Sequence, residues 1–334
     1  MSITRRGFVH AALVGASWPL GLAEARPFEA VPVVDLAVHL PQQVLEHYRG
    51  VTFGSGQADA VRLRRGGAYG LVLPLERRGA LAPSLEAGYL HLLRALSRVR
   101  ELRIPGCRRP GPGIRTWFSI TDASDLGGER EVPLWVTRGV RFFGLVTRGD
   151  STLASSALGS GGGLSSRGQA MVRSVHAARG TIDVCGLSAG ALAEVVAMAR
   201  EAHVPVVASR TAAGALTSHA RNLNDVQLLA VARTGGLIGV SFEQRMLHQG
   251  KPADLGDVVR HILHIARVAG VDHVGIGSGF ESGLRPPREL LNASRYPRLS
   301  RALRAAGMPM NDVRKVMAGN ALRLMCYQRP GGPP

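Results

Sequence analysis

The feature that most constrains the fold is a repeated alternation of short apolar runs with longer amphipathic stretches. Eight runs read as strands: Val31–Leu40, Tyr69–Leu75, Thr116–Ile120, Val140–Val146, Thr181–Cys185, Val204–Ala208, Leu237–Phe242 and His273–Gly277. Helical patterns separate most of them: Leu85–Leu102, Ser166–Ala178, Ser188–Ala202, Leu223–Thr234 and Leu255–Ala269. Strands alternating with helices form parallel sheets, and eight such units close into a barrel. The sequence therefore predicts an α/β fold, a TIM-type (β/α)8 barrel, with extra C-terminal helices at Leu299–Ala306 and Asn311–Leu324.

The polar residues at the predicted strand ends locate the expected functional site. In barrels of this type the site lies on the loops that follow the carboxyl ends of the strands. The residues at those ends are Asp35, His39, Glu76, Thr121, Asp122, Arg148, Asp150, Cys185, Gly186, Arg210, Glu243 and Glu281. We therefore expect the chemistry of this protein to come from a subset of these side chains.

The first 25 residues have the pattern of an export signal. Paired arginines in 4–9 precede a modestly apolar stretch, 11–22, and Ala23-Glu24-Ala25 supplies small residues for cleavage. This order is typical of a signal peptide, and the twin arginines indicate the Tat type. The sequence thus predicts a signal peptide at 1–25, a barrel at 26–328, a disordered tail at 329–334, and a periplasmic or extracellular location.

Composition and charge exclude several classes of function. The net charge of +17 comes almost entirely from arginine, and no basic run is interleaved with aromatic residues as in a nucleic-acid platform. A cationic surface attracts anionic cell-envelope polymers, so such a polymer is one expected partner. No apolar run reaches the roughly 20 residues needed for a transmembrane span. The three cysteines, Cys107, Cys185 and Cys326, form no disulfide framework, and the pairing of any single disulfide stays open.

Several ordered segments resemble one known family. They are Gly139–Arg141 (GVR), Ile182–Gly186 (IDVCG), Pro205–Thr211 (PVVASRT), Ser218–Asn222 (SHARN), Gly270–Ser278 (GVDHVGIGS) and Gly319–Arg323 (GNALR). In order and spacing they resemble the membrane dipeptidase (renal dipeptidase) family, from about residue 31 to about residue 326. The resemblance implies a (β/α)8 barrel that hydrolyses dipeptides with two water-bridged zinc ions, and it suggests a homodimer.

The resemblance also assigns the family's metal and catalytic positions to particular residues. These are Ala37, His39, Thr121, Arg148, Gly186, Arg210 and Gly279. Glycine and alanine offer no side-chain ligand, and arginine is a permanent cation that repels a metal ion. We therefore expect no catalytic residue at these positions and predict no zinc cofactor.

Three hypotheses follow. The first is a pseudoenzyme that binds an anionic small ligand or peptide through Arg148, Arg210, Arg221 and Asn222, where the family's arginine holds a substrate carboxylate. Arg221 could instead form a structural salt bridge with Asp225. The second is a divergent metallo-dipeptidase with a rebuilt metal site drawn from Asp35, His39, Asp122 and Cys185. The third is a structural envelope protein that works through its basic surface.

Overall fold

The structure, a computed structural model, describes residues 31–40, 56–77, 82–97, 99, 102–103 and 113–326. The predicted signal peptide at 1–25 and the predicted tail at 329–334 lie outside the described residues. Among the described residues, no helix is both long enough and apolar enough to cross a bilayer.

The predicted barrel is confirmed. The strands are β1 (Val33–Asp35), β2 (Ala68–Leu75), β3 (Leu102–Arg103), β4 (Ile114–Ile120), β5 (Val140–Gly144), β6 (Thr181–Asp183), β7 (Val207–Thr211), β8 (Leu237–Val240) and β9 (Val274–Ile276). All pair in parallel, in the order β2-β1-β9-β8-β7-β6-β5-β4-β3. An additional pairing of β2 with β4, from Gly70 opposite Arg115 to Leu75 opposite Ile120, closes the ring. Eight strands thus form the barrel, and the two-residue β3 pairs with the start of β4.

The seventh strand lies further along the chain than its apolar pattern predicts. The sequence places it at Val204–Ala208, whereas β7 spans Val207–Thr211. Its register against β8 shifts between Ala208 and Thr211. A bulge of this kind lets polar residues continue a strand and redirects their side chains. Arg210 therefore extends from the strand itself into the barrel mouth.

The helices are Ala60–Arg65, Leu85–Leu96, Val132–Thr137, Ser166–Ala177, Ala189–Glu201, Asp225–Arg233, Gln244–Leu247, Leu255–Ala269, Tyr296–Ala305, Met310–Arg314 and Asn320–Met325. Each predicted helical interval overlaps at least one of them, in most cases with shifted ends, whereas Ala60–Arg65, Val132–Thr137 and Gln244–Leu247 were not predicted. The helix Asp225–Arg233 begins two residues later than predicted, because Asn224 and Gln227 form a capping box there. The predicted helix Leu85–Leu102 ends at Leu96, because Leu102 joins the sheet.

Two apolar cores hold these layers together. The larger core lies between the strands and the surrounding helices. The smaller core fills the barrel interior with side chains such as Val72, Trp117 and Phe142, and it includes Ala321 and Leu324 from the C-terminal segment. A π-helical turn, Lys315–Gly319, interrupts the predicted helix Asn311–Leu324. The C-terminal segment therefore belongs to the core that fills the barrel, while the strand ends carry the polar residues.

Candidate functional site

A polar cavity of about 270 Å³ opens at the carboxyl ends of the strands. Its polar lining residues come from β4, β6, β7 and the loops: His39, Glu76, Ser119, Thr121, Thr147, Arg148, Asp183, Cys185, Ser209, Arg210, Arg221, Glu243 and Ser282. A larger groove of about 600 Å³ lies between the outer helices Ser166–Ala177 and Ala189–Glu201. We assign the site to the mouth cavity, because chemistry in this fold concentrates at the strand ends.

Arg210 is held on one side of the cavity. Its Nη1 donates a hydrogen bond to Ser282 Oγ at 3.1 Å. Burial lowers the pKa of the Arg210 guanidinium, and the nearby positive charge of Arg221 lowers it further. Arginine nevertheless keeps its proton in proteins. This side of the mouth therefore carries a buried positive charge, and the negative charge of Glu243 acts on it in the opposite direction to that of Arg221.

Arg221 lies beside the only free cysteine among the described residues. Its Nη2 is 3.5 Å from Cys185 Sγ, and that thiol donates to the carbonyl oxygen of Arg210 at 2.8 Å. The Nε of Arg221 is buried and has no hydrogen-bond partner within the described part of the chain. Asp225 pairs instead with His264 Nε2 at 2.7 Å, so the alternative salt bridge from Arg221 to Asp225 does not form. The guanidinium thus retains a donor for a further acceptor.

The opposite side of the mouth carries an acid. Thr121 Oγ1 donates to Glu76 Oε1 at 3.1 Å, and His39 Nδ1 lies 3.8 Å from the same oxygen. Glu76 follows β2, which stands across the eight-stranded ring from β7 and Arg210. The cavity therefore places two guanidinium groups, with the carboxylates of Asp183 and Glu243 near them, opposite a histidine–glutamate–threonine cluster.

Two glycines among the family-assigned positions leave room for the arginines. Gly279 has a φ of +75°, and a Cβ there would come within 2.9 Å of both Cδ and Nη1 of Arg210. Gly186 has a φ of +81°, and a Cβ there would lie 3.7 Å from Nε and Nη2 of Arg221. Each guanidinium therefore lies beside a glycine, in space that the side chain of a larger residue at the glycine position would enter.

Asp35 is a predicted metal-site candidate that the structure places in the core. Its Oδ1 accepts hydrogen bonds from the backbone N–H groups of Ala37 at 3.1 Å and Ser278 at 3.0 Å. Its Oδ2 accepts from the Tyr296 hydroxyl at 2.5 Å. Burial raises the pKa of Asp35 to about 6 against the opposing effect of these donors. Asp35 does not line the cavity, and its contacts join β1 to the loop after β9.

Three other predicted residues take different places. Asp122 caps the short turn Ala123–Asp125 by accepting from Ser124 N at 2.9 Å, and burial raises its pKa. Asn222 is buried beside the cavity without lining it, and its side-chain amide donates to two carbonyl oxygens. Arg148 lies exposed at the rim. The structure thus brings His39, Cys185, Arg210 and Arg221 together and separates Asp35, Asp122 and Asn222 from them.

Sequence reasoning missed several polar residues of the cavity. Asp183 accepts from Ser209 N and Cys185 N, both at 3.0 Å, and also from the Ser209 hydroxyl. Burial raises the pKa of Asp183, although these donors oppose the increase. Asp183 lies in the segment IDVCG and Ser209 lies in the segment PVVASRT. Both segments were recognised in the sequence, so these two residues could have been predicted as part of the site. Within the described residues, no three His, Cys, Asp or Glu side chains are grouped as a metal site.

Comparison with known proteins decides the family. The family model for membrane dipeptidases, peptidase family M19, matches residues 109–328. The chain belongs to the membrane dipeptidase family. It is 34% identical over 218 residues to an uncharacterised protein of the pqqA 5′ region of Klebsiella pneumoniae, covering 62% of this chain and 79% of that protein. It is 30% identical over 221 residues to dipeptidase aclJ of Aspergillus oryzae, covering 64% of this chain but only 52% of that dipeptidase.

A solved structure extends the comparison to the whole barrel. A metallo peptidase from Rhodobacter sphaeroides, liganded with a phosphinate mimic of the dipeptide L-Ala-D-Ala, superposes with a TM-score of 0.79. The superposition covers 89% of this chain and 99% of that one at 22% sequence identity. At this identity the match shows the fold alone. The membrane dipeptidase barrel is therefore shared, while the chemistry of this cavity has to be argued from its own residues.

Proposed function

We propose that this member of the membrane dipeptidase family binds an anionic ligand in the barrel mouth without hydrolysing it. The observation that carries the proposal is the placement of two guanidinium groups against the backbone of Gly186 and Gly279, two positions that the resemblance assigns to metal ligands. The side chains that would hold two zinc ions are absent from these positions, and cations lie beside them.

The donor set does not fit the two zinc ions that the family implies. Ala37, Gly186 and Gly279 have no side-chain ligand atom, and Arg210 cannot serve as one. A guanidinium about 5 Å from Zn²⁺ would oppose binding by roughly 7 kcal/mol at an effective dielectric constant of about 20. Of the carboxylates that line the cavity, Glu76 accepts from Thr121, Asp183 accepts from Ser209, and the charge of Glu243 acts on both Arg210 and Arg221. We therefore derive no catalytic step through zinc.

The same groups suit a carboxylate. A planar guanidinium binds a carboxylate through parallel hydrogen bonds, and Arg221 has its buried Nε without a partner in the described structure. A cavity of about 270 Å³ accommodates a small ligand rather than a polymer. The ligand class we propose is a small carboxylate, such as a peptide with a free C-terminus.

Calorimetry with a matched pair of ligands tests the binding. We expect L-Ala-L-Ala to bind and its C-terminal amide to bind at least about tenfold more weakly, the loss expected when a charge-assisted hydrogen bond is removed. Arg221→Leu should abolish this difference, while Arg167→Leu, which removes an exposed arginine from an outer helix, should keep it. Equal affinity for the acid and the amide would contradict the proposal.

A second measurement separates binding from catalysis. Elemental analysis of gently purified protein should find less than one zinc per chain, and a dipeptide hydrolysis assay should find no turnover that a chelator abolishes. Stoichiometric zinc with chelator-sensitive turnover would establish the alternative, a divergent metallo-dipeptidase using the cavity residues His39, Glu76 and Cys185.

We also propose export by the Tat route. The support is the twin-arginine pattern of the first 25 residues, together with the disulfide-bonded state of Cys326, because disulfides persist in oxidising compartments. Fusing residues 1–30 to a reporter should deliver it across the membrane, and the Arg5→Lys/Arg6→Lys variant should block delivery. Retention of the unchanged fusion in the cytoplasm would contradict this proposal.

A further inference from the structure

A basic groove lies next to the mouth cavity. We use the name basic groove for a depression of about 540 Å³ formed where the loop after β7 meets the segment after β8. Four basic or imidazole side chains line it: His219, Arg245, His248 and Lys251. No carboxylate is among its lining residues in the described part of the chain. The groove shares no lining residue with the mouth cavity.

The walls of the basic groove are fixed to one another. Thr217 Oγ1 donates to the carbonyl oxygen of Leu247 at 2.9 Å. The side-chain amide of Asn222 donates to the carbonyl oxygens of Thr217 and Met246, both at 2.8 Å. His261 Nε2 donates to the Leu247 carbonyl oxygen at 3.0 Å. These buried bonds hold the two segments together, so the groove is preorganised and its lining residues need little ordering when a ligand binds.

The imidazoles of the groove have hydrogen-bonding capacity to spare. His219 Nδ1 accepts from the backbone N–H of Arg221 at 3.2 Å, so the neutral ring carries its proton on Nε2 and can donate there. Burial lowers the pKa of His219, with Arg221 and Arg245 adding to the effect, which favours this neutral form. His248 Nδ1 is buried and has no partner among the described residues. A buried polar atom without a partner costs free energy until a ligand or a rearrangement supplies one.

The two cations at the groove have one acid near them. Arg245 and Lys251 are both solvent-exposed. The acid that lies near Lys251 is Asp254, and its carboxylate caps the helix Leu255–Ala269 by accepting from Asp257 N at 2.9 Å. The positive charge at the groove is therefore available to an anion from solvent.

We propose that the basic groove binds a phosphoryl group. A phosphate dianion has several strong acceptor oxygens and needs more than one cation, whereas a carboxylate is satisfied by one planar guanidinium. The groove offers two cations together with imidazole donors, and its walls are already in place. It is a site separate from the proposed carboxylate site, and neither site requires the other.

Calorimetry of the full chain with inorganic phosphate at physiological ionic strength tests this proposal. The charge-reducing variant Arg245→Ala/Lys251→Ala should weaken phosphate binding by at least about tenfold, because it removes charge-assisted hydrogen bonds. The matched control Arg130→Ala/Arg167→Ala removes the same charge from exposed positions on the β4–β5 side of the barrel. Its phosphate affinity should stay within about twofold, because exposed charges farther away than about 8 Å are largely screened at physiological salt.

The outcomes distinguish this site from the mouth cavity. If phosphate binds equally well when L-Ala-L-Ala is saturating, the groove is a site of its own. If phosphate binds but the dipeptide does not, the groove stands and the proposed carboxylate site fails. Equal weakening in both double variants would show diffuse attraction to a cationic surface and would overturn the proposal. An absence of phosphate binding at about 10 mM, a concentration that detects any free energy of binding stronger than about −3 kcal/mol, would overturn it as well.

Discussion

Asp35 provides the sharpest quantitative prediction, because its carboxyl group is fully buried and its pKa is raised from 3.8 to about 6. A group that holds its proton more tightly in the folded state makes the protein less stable as pH rises between the two values. The shift of about 2 units corresponds to about 3 kcal/mol of unfolding free energy, fully lost once the pH exceeds the folded-state pKa.

The Asp35→Asn variant removes this dependence and keeps the shape of the side chain. Its amide oxygen can still accept from Ala37 N and Ser278 N, and the Tyr296 hydroxyl can accept from its amide group. Urea denaturation of both proteins from pH 4 to pH 7.5 gives the difference in unfolding free energy. We expect that difference to move in favour of the variant by about 2.4 kcal/mol between pH 4 and pH 7 and then to level off.

Other titrating groups cancel in the difference, since both proteins contain them. Burial lowers the pKa of His261, for example, and so makes both proteins less stable as the pH falls below the usual histidine value. Asp150→Asn is a control of opposite sign, because the N–H groups of Ser156 and Ser160 lower the pKa of Asp150. For this control, the difference in unfolding free energy should move in favour of the wild type as pH rises through the acid range. A difference for Asp35→Asn that is flat with pH, or that grows in favour of the wild type, would refute the reasoning from burial.

Three further predictions concern single contacts of Asp35, Arg210 and Asn222. Tyr296→Phe should raise the pKa of Asp35 further and cost about 1–3 kcal/mol at pH 7, because it removes a hydroxyl donor from a buried carboxylate; the pH profile of unfolding measures both effects. Gly279→Ala should cost about 1–3 kcal/mol in thermal unfolding, because it places a Cβ at positive φ against Arg210; an unchanged melting temperature would argue that the loop relaxes freely. Asn222→Ala should destabilise the protein by about 2 kcal/mol in urea while leaving carboxylate affinity within about twofold; intact stability with lost affinity would make Asn222 a ligand contact.

The barrel was readable from the sequence because buried parallel strands leave continuous apolar runs. Each of the eight predicted runs overlaps a strand, but one of them shows what an apolar pattern leaves out. The segment Val204–Ala208 has the apolar pattern of a strand, but β7 continues through Ser209 and Arg210 to Thr211. Polarity alone assigns these residues to a loop. Only the register shift against β8 explains how charged side chains leave a strand at this point.

The sequence predicted several residues of the site, but it did not predict which of them lie together in the cavity. Motif spacing located Cys185, Arg210 and Arg221, and the structure brings all three into one cavity. The same reasoning made Asp35 a candidate metal ligand, although its carboxylate accepts hydrogen bonds from backbone N–H groups in the core. A metal ligand and a buried acceptor of backbone hydrogen bonds both place a carboxylate at the end of a strand, so position in the sequence does not distinguish the two roles. Burial and hydrogen-bond partners do distinguish them, and these depend on contacts between residues that are distant in the chain.

The pairing of the first strand with the last strand of the barrel has a consequence for biosynthesis. β1 pairs with β9, and the side-chain amide of Asn320 donates to the carbonyl oxygens of Val271 and Val274, both at 2.8 Å. In a nascent chain still lacking these last segments, β1 can pair only with β2, so its other edge is unpaired and apolar interior surface stays in contact with water. We infer that ring closure waits until synthesis is nearly complete, so that a ribosome-stalled or C-terminally clipped product would be prone to aggregate and to be degraded.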